Sequence, residues 1–282
     1  MYKLVAPITD ASKSYGIAVS TIRDKGRRKL FDTASPIVDS QCKQFDKLAA
    51  NLSFHRARGS SFDVAGLASN DMSLLYDPQF SKRKGTENLR DSIRNAAPNS
   101  LCPYCGEGTV AQIDHYLPKE SYAGISVHPA NLVPACADCN HAKQSYAPDS
   151  SKPAVLHPYF DTAFGIKWLS ATVEEGEIGR PVVKYNIDSD LLNLQLRSRL
   201  IAHMDVFKLW SRFSIWAGQS LDNFGSYLKH EHGQAMDILE ARDHLERTAL
   251  QQSGGRINSW EGAAHTAMRE SDWYLSTYLG LT

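Results

Sequence analysis

Two short pairs, Cys102-Pro-Tyr-Cys105 and Cys136-Ala-Asp-Cys139, hold four of the five cysteines in this chain. Cysteines with two residues between them form a tight knuckle that turns both sulfurs toward one centre. Two knuckles complete the tetrahedron that zinc prefers. Four thiolates saturate the ion, so the expected zinc is structural and offers a substrate no open position. Four reduced core cysteines are the competing reading, and the concentration of four cysteines in two knuckles weighs against it. The gap from Cys105 to Cys136 exceeds the about 15 to 20 residues of an ordinary ribbon. A segment has been inserted between the knuckles.

That insert brings Asp114-His115 and Asn131 into the frame, and Asn140 follows the last cysteine directly. Hydrolysis of a phosphodiester needs an activated water, a cation to neutralise developing charge and a grip on the phosphate. His115 has an ordinary pKa near neutrality and suits a general base acting on water. Asp114 and Asn140 offer hard oxygen donors, which favour Mg²⁺ or Mn²⁺ over a second zinc. Such an ion would polarise the scissile phosphate. Lys119 and Lys143 are candidate point charges for phosphate, while His128 and His157 carry a weaker signal. Taken singly, each residue has a bland reading as a turn, a cap or a solvated surface group. Their joint placement in one zinc frame favours the chemistry.

The elements that must position these groups are short. Val110 and Ile113 predict a strand that ends at the Asp-His pair, with Pro118 stopping it. Asn131-Leu-Val-Pro-Ala leads into the second knuckle, and Cys139 to Lys143 begins a helix that carries Asn140 past the zinc. The metal would clamp hairpin and helix together.

These residues resemble the HNH endonucleases, whose ββα-metal motif places a His on the first strand, an Asn in the connecting loop and a His or Asn on the helix. The matching positions are His115, Asn131 and Asn140, an HNN variant with His141 adjacent. The resemblance includes both knuckles, the Asp before the first His and the phrase Asn-Leu-Val-Pro before the third cysteine. It implies that Asn131 pins the loop around His115 and orients the imidazole. Tyr76-Asp-Pro-Gln-Phe80, Asp-His-Tyr-Leu-Pro-Lys and His157-Pro-Tyr-Phe-Asp161 together resemble Septu-type nuclease subunits of antiphage defence systems, over about residues 70 to 170. That likeness implies a DNA-cleaving effector working beside an ATPase partner subunit. The sequence itself has no Gly-x-x-x-x-Gly-Lys-Ser/Thr loop, so any nucleotide dependence would come from another subunit. A zinc deaminase is a poor match, since Pro-Ala-Cys136 and His115-Tyr-Leu lack its His-x-Glu and Pro-Cys-x-x-Cys elements. The alternative from another class is a zinc-dependent module that binds nucleic acid or protein and whose nuclease site is inactive.

The chain as a whole is expected to be α+β and predominantly helical. An N-terminal helical region (1–98) precedes an HNH module (99–161) and a C-terminal region (162–282) with a short strand pair followed by helices. Helices are expected at Pro36–Ala50 and Glu87–Ala97 in the first region. In the last, strands are expected near Lys167–Val173 and Pro181–Tyr185. Helical patterning is expected from Ser189 through Leu191 onward, then at Ser220–His230, Gln234–Gln251 and Trp260–Tyr278, punctuated by Gly233 and Gly254-Gly255. Lys plus Arg and Asp plus Glu both number 31, so no global field draws the chain to DNA. Local basic runs are the candidates: Arg23, Lys25, Arg27, Arg28 and Lys29, then Lys82, Arg83 and Lys84. No signal peptide or membrane-spanning stretch is evident, and thiolate ligands suit a reducing cytoplasm. Cys42 is expected as a small buried residue on a helix.

Overall fold

The computed structural model describes residues 1–188, 190, 192–231 and 236–282. Its architecture is the predominantly helical α+β one expected, with small antiparallel hairpins and a four-cysteine cluster. Two compact units cluster separately, Tyr2–Asp161 and Thr162–Thr282 with Met1. The stretches expected as 1–98 and 99–161 fall in the first of these.

The first unit opens with α1 (Ala11–Ser20) and α2 (Lys25–Ala50). Both start on an aspartate cap: Asp10 accepts the Lys13 N–H and Asp24 the Arg27 N–H, each at 2.6 Å. The sequence placed the second helix from Pro36, yet α2 runs through it. Proline inside a helix costs about 3 kcal/mol. Here the buried stripe Phe31, Ala34, Val38, Cys42, Phe45 and Ala49 continues across it and holds both halves to one core. Cys42 is buried on this helix, as expected.

Next come α3 (Ser69–Leu74), a kinked turn (Leu75–Phe80) with Asp77 in extended backbone, and α4 (Glu87–Arg94), which stops three residues short of the expected Ala97. Buried Arg90 ties this stretch down by donating to the carbonyls of Phe80 at 2.6 Å and Arg83 at 3.0 Å. The strands β1 (Gln112–His115) and β2 (Leu132–Ala135) pair antiparallel, with Asp114 opposite Val133 and His115 opposite Leu132. Strand β2 is buried throughout, and α4 packs against the hairpin. The short helix α5 (Ala137–Lys143) then lies on β1.

The second unit carries the hairpin β3 (Leu169–Glu175) and β4 (Pro181–Ile187), both extending beyond the expected Val173 and Tyr185. It continues with α6 (Leu194–Val206), α7 (Leu209–Glu231), α8 (Ile238–Ser253) and α9 (Trp260–Glu270). The helix expected from Ser220 is the later part of α7. The one expected from Trp260 to Tyr278 breaks at Ser271, whose backbone is extended, before a π-helical turn at Trp273–Tyr278. Helix α9 packs on α8 and β3, and the Asn258 side chain accepts from the N–H groups of Trp168 and Leu169 at 2.9 and 3.0 Å. Ser189, Leu191, Gly233 and Gln234 lie outside the described residues. Among the described residues no helix is long and apolar enough to cross a membrane.

Candidate functional site

The four knuckle cysteines are buried and their sulfurs lie within 4.8 Å of one another. Cys105 and Cys136 are 4.0 Å apart; a zinc–sulfur tetrahedron with bonds of about 2.3 Å has edges of about 3.8 Å. The first knuckle turns on Gly106, which sits at φ +82° and donates its N–H to the Cys102 carbonyl at 2.7 Å. Gly108 donates to Cys105 Sγ at 3.3 Å, and a Cβ there would stand 2.7 Å from Cys136 Sγ. In the second knuckle Cys136 is the N-cap of α5, and its sulfur accepts the Cys139 N–H at 3.4 Å. Hydrogen bonding from the Cys102 thiol is the largest influence holding Cys105 and Cys136 below the ordinary thiol range, Cys136 at about 7. A closed, buried set of four soft donors at this spacing fits a structural zinc.

A separate cleft of about 480 Å³ is lined by Asp114, His115, Lys119, Glu120, Asn140 and Tyr76 among others. It brings Asp114, His115 and Asn140, all singled out from the sequence, together with Lys119. His115 Nε2 lies 2.8 Å from the Ser126 carbonyl oxygen. In the tautomer this favours, Nε2–H donates and Nδ1 keeps a free lone pair. Burial pushes the imidazole down to about 4, so the ring is neutral at physiological pH. Tyr76 meets it edge to face, with ring centroids 4.2 Å apart.

Asn131 is fully buried behind the cleft. Its Oδ1 accepts the Leu117 N–H at 2.8 Å, and its Nδ2 donates to the carbonyls of Leu117 and Ile125 at 3.0 and 3.3 Å. These bonds staple the loop that leaves β1 to the approach of β2. Asn140 donates its Nδ2 to Gln112 Oε1, which orients the amide and leaves Oδ1 as its acceptor atom. His141 is exposed. Asp114 has both carboxylate oxygens engaged: Oδ2 accepts from the Tyr104 hydroxyl at 2.9 Å and Oδ1 from Lys143 Nζ at 3.1 Å.

Lys143, read from the sequence as a phosphate contact, is instead buried and also donates to the His115 carbonyl at 2.6 Å. Its place on the inner face of α5, one turn after Asn140, turns it into the hairpin. Lys119 does line the cleft, with its ammonium on the Glu120 carboxylate. His128 pairs with Asp46 at 2.9 Å, and His157 packs in an aromatic core against Tyr116 and Phe54. Glu120 and Gln112 were not singled out, and Tyr76 was read only as the first residue of the Tyr76–Phe80 phrase of the Septu-type resemblance, with no role at His115. Tyr76 comes from a turn remote in sequence, so no local spacing could have placed it on His115.

A buried four-cysteine cluster thus stands beside a ββα arrangement and a cleft that gathers a histidine and oxygen donors. Residues 102–145 match the family model described as HNH endonuclease; this stretch is an HNH endonuclease domain. Two relatives extend the comparison. The chain is 28% identical over 174 residues to protein ea31 of Escherichia phage lambda, covering 59% of this chain and 57% of ea31. It is 35% identical over 69 residues to Septu protein PtuB of Bacillus thuringiensis, covering 23% of this chain and 26% of PtuB. The chain therefore spans little more than half the length of one relative and about a quarter of the other. No solved structure matches.

Proposed function

We propose that this protein is a metal-dependent endonuclease that hydrolyses phosphodiester bonds in DNA, with His115 as the general base. The observation that carries the reading is the place of His115: its Nε2 lies on the Ser126 carbonyl and its side chain lines one cleft with Asp114 and Asn140. Nδ1 takes the proton from the attacking water as it approaches phosphorus. The Lys119 ammonium, held on Glu120 in the free protein, turns to the phosphate oxygens. Asn131 keeps the loop around His115 in place.

The donor set of the cleft fits Mg²⁺ or Mn²⁺. Asn140 Oδ1 is a hard neutral oxygen, and the Asp114 carboxylate has further lone pairs beside the two that accept from Tyr104 and Lys143. Such an ion, when bound, neutralises charge on the scissile phosphate and the leaving oxygen. The four-cysteine site takes a structural zinc. The likeness to PtuB, by name a Septu protein, agrees with the Septu-type resemblance of the motifs, from which we infer a role in antiphage defence beside an ATPase partner subunit.

Purified protein with Mg²⁺ or Mn²⁺ is expected to nick or linearise plasmid DNA and to stop on chelation of the ion. Intact plasmid under every divalent cation, with folded and zinc-loaded protein and with the neighbouring gene product added, overturns the reading. The engagement of both Asp114 oxygens favours a second reading, a zinc-dependent binding subunit with a silent cleft, which predicts that result.

A further inference from the structure

Two basic runs far apart in the sequence meet in the first unit. Arg23, just before α2, Arg27 in its first turn, and Arg83, after the Leu75–Phe80 turn, line one cavity of about 200 Å³. Its accessible apolar lining is Leu74 and Pro78, both half-buried, backed by the buried side chains of Ile22, Phe31 and Leu75. The carboxylates nearby are already engaged. Asp24 accepts the Arg27 backbone N–H as the helix cap, and Asp71 holds Arg27 at 2.6 Å. Arg83 Nε donates to Gln79 at 3.3 Å. A guanidinium has five N–H donors in a planar fork, so both arginines keep donors for an anion. Arg23 is exposed at the rim.

This cavity and the catalytic cleft share a wall. Leu75, Pro78 and Gln79 face the cavity, while Tyr76 of the same turn lines the cleft with its ring on His115. The Leu75–Phe80 turn thus contributes residues to both.

We propose that the cavity takes one unpaired nucleotide of the strand being cleaved, with its phosphate on Arg27 and Arg83 and its base against the half-buried side chains of Leu74 and Pro78. Guanidinium forks match phosphate oxygens in pairs, and an apolar lining accepts the face of any base without reading its sequence. The volume is below the roughly 300 to 1,000 Å³ of ordinary small-molecule sites, so the cavity takes the base and phosphate edge of one nucleotide and leaves the rest in solvent. A paired base lies inside its stack and cannot enter a recess without leaving it. The occupant is thus a nucleotide from a single-stranded segment next to the cut.

This inference rests on the nuclease reading, and binding is measured apart from cleavage so that the two can fail separately. The cleavage-blocked His115→Ala protein is titrated into fluorescein-labelled single-stranded and duplex oligonucleotides of one sequence, across a range of salt. Arg27→Ala with Arg83→Ala is expected to weaken single-strand binding about tenfold and to flatten the log–log salt slope by about 0.7 for each phosphate that is no longer neutralised. Duplex binding is expected to change less. Arg23→Glu, at an exposed position, tests the same surface without risk to the fold, and Arg27→Lys with Arg83→Lys is expected to recover part of the affinity. Free dAMP is expected to compete only weakly, because it lacks the rest of the strand; tight dAMP binding abolished by the same substitutions would make the cavity a site for free nucleotide and overturn the proposal. Unchanged single-strand affinity in all the variants overturns it while leaving the nuclease reading intact. A parent protein that binds no nucleic acid removes both.

Discussion

His115 has its proton inventory set by two neighbours of different kinds. The Ser126 carbonyl fixes which nitrogen carries hydrogen, and the buried surroundings keep the ring neutral. Tyr76 supplies part of that burial through an edge-to-face contact, which uses the ring and not the hydroxyl. Tyr76→Phe is accordingly expected to cleave at close to the wild-type rate, and Tyr76→Ala to lose most of kcat with little change in KM. Equal losses in both variants would show that the hydroxyl, and not the ring, is what His115 needs from Tyr76. Asp114 presents a different balance, because a buried carboxylate and a buried ammonium, at 5% and 1% side-chain exposure, hold each other. Removing one partner strands the other charge, so Lys143→Met is expected to cost about 3 kcal/mol in urea unfolding. A loss below about 1 kcal/mol would mean that Asp114 is already neutralised some other way. The spacing of Asp114, His115, Asn131 and Asn140 was legible in the sequence because all four lie in or beside one zinc frame. The partners that tune them were not. Tyr76 and Ser126 arrive by tertiary folding, and nothing in the Lys143 neighbourhood distinguishes a buried lysine from a solvated one.

The hairpin and knuckles depend on close approach. Gly108 passes so near Cys136 that any side chain collides with a sulfur of the four-cysteine cluster. Gly108→Ala is expected to lower zinc content below one ion per chain by elemental analysis and to lower Tm with it, since the binding energy of such a metal is part of the folding energy. Full zinc occupancy at an unchanged Tm would contradict the zinc assignment. Cys136→Ser should be worse on both counts, because it removes a ligand and alters the cap of α5. Short elements like β1 were readable because turn residues bound them on both sides, Gly106 and Gly108 before and Pro118 after. Helix ends were harder to read. Pro36 looked like a start, and the continuous buried stripe from Phe31 to Ala49 overrode it. In α9 the apolar pattern continued past Glu270, while the backbone broke at Ser271.

Across the whole chain the charges cancel, so affinity for a polyanion has to come from where they lie. The convergence of Arg23, Arg27 and Arg83 on one cavity could not be read from two runs some sixty residues apart. Stability also has a pH signature in the second unit. His265 on α9 is buried, donates Nδ1–H to the Glu261 carbonyl at 2.8 Å, and has its pKa lowered chiefly by desolvation. Below about 6.5 the unfolded chain takes up a proton that the folded chain refuses. Its contribution is therefore complete above that pH and is lost as pH falls through the depressed folded value. The drop in Tm between pH 7.5 and 5.5 is expected to be smaller in His265→Gln than in the wild type, and an equal drop would place the pH sensitivity elsewhere.

The most direct test is plasmid cleavage with saturating Mn²⁺ by the wild type and by His115→Ala, the two matched for zinc content and Tm. General-base catalysis by His115 predicts a loss of at least about 10²-fold in the variant. Cleavage at the wild-type rate by a folded, zinc-loaded His115→Ala protein would contradict it.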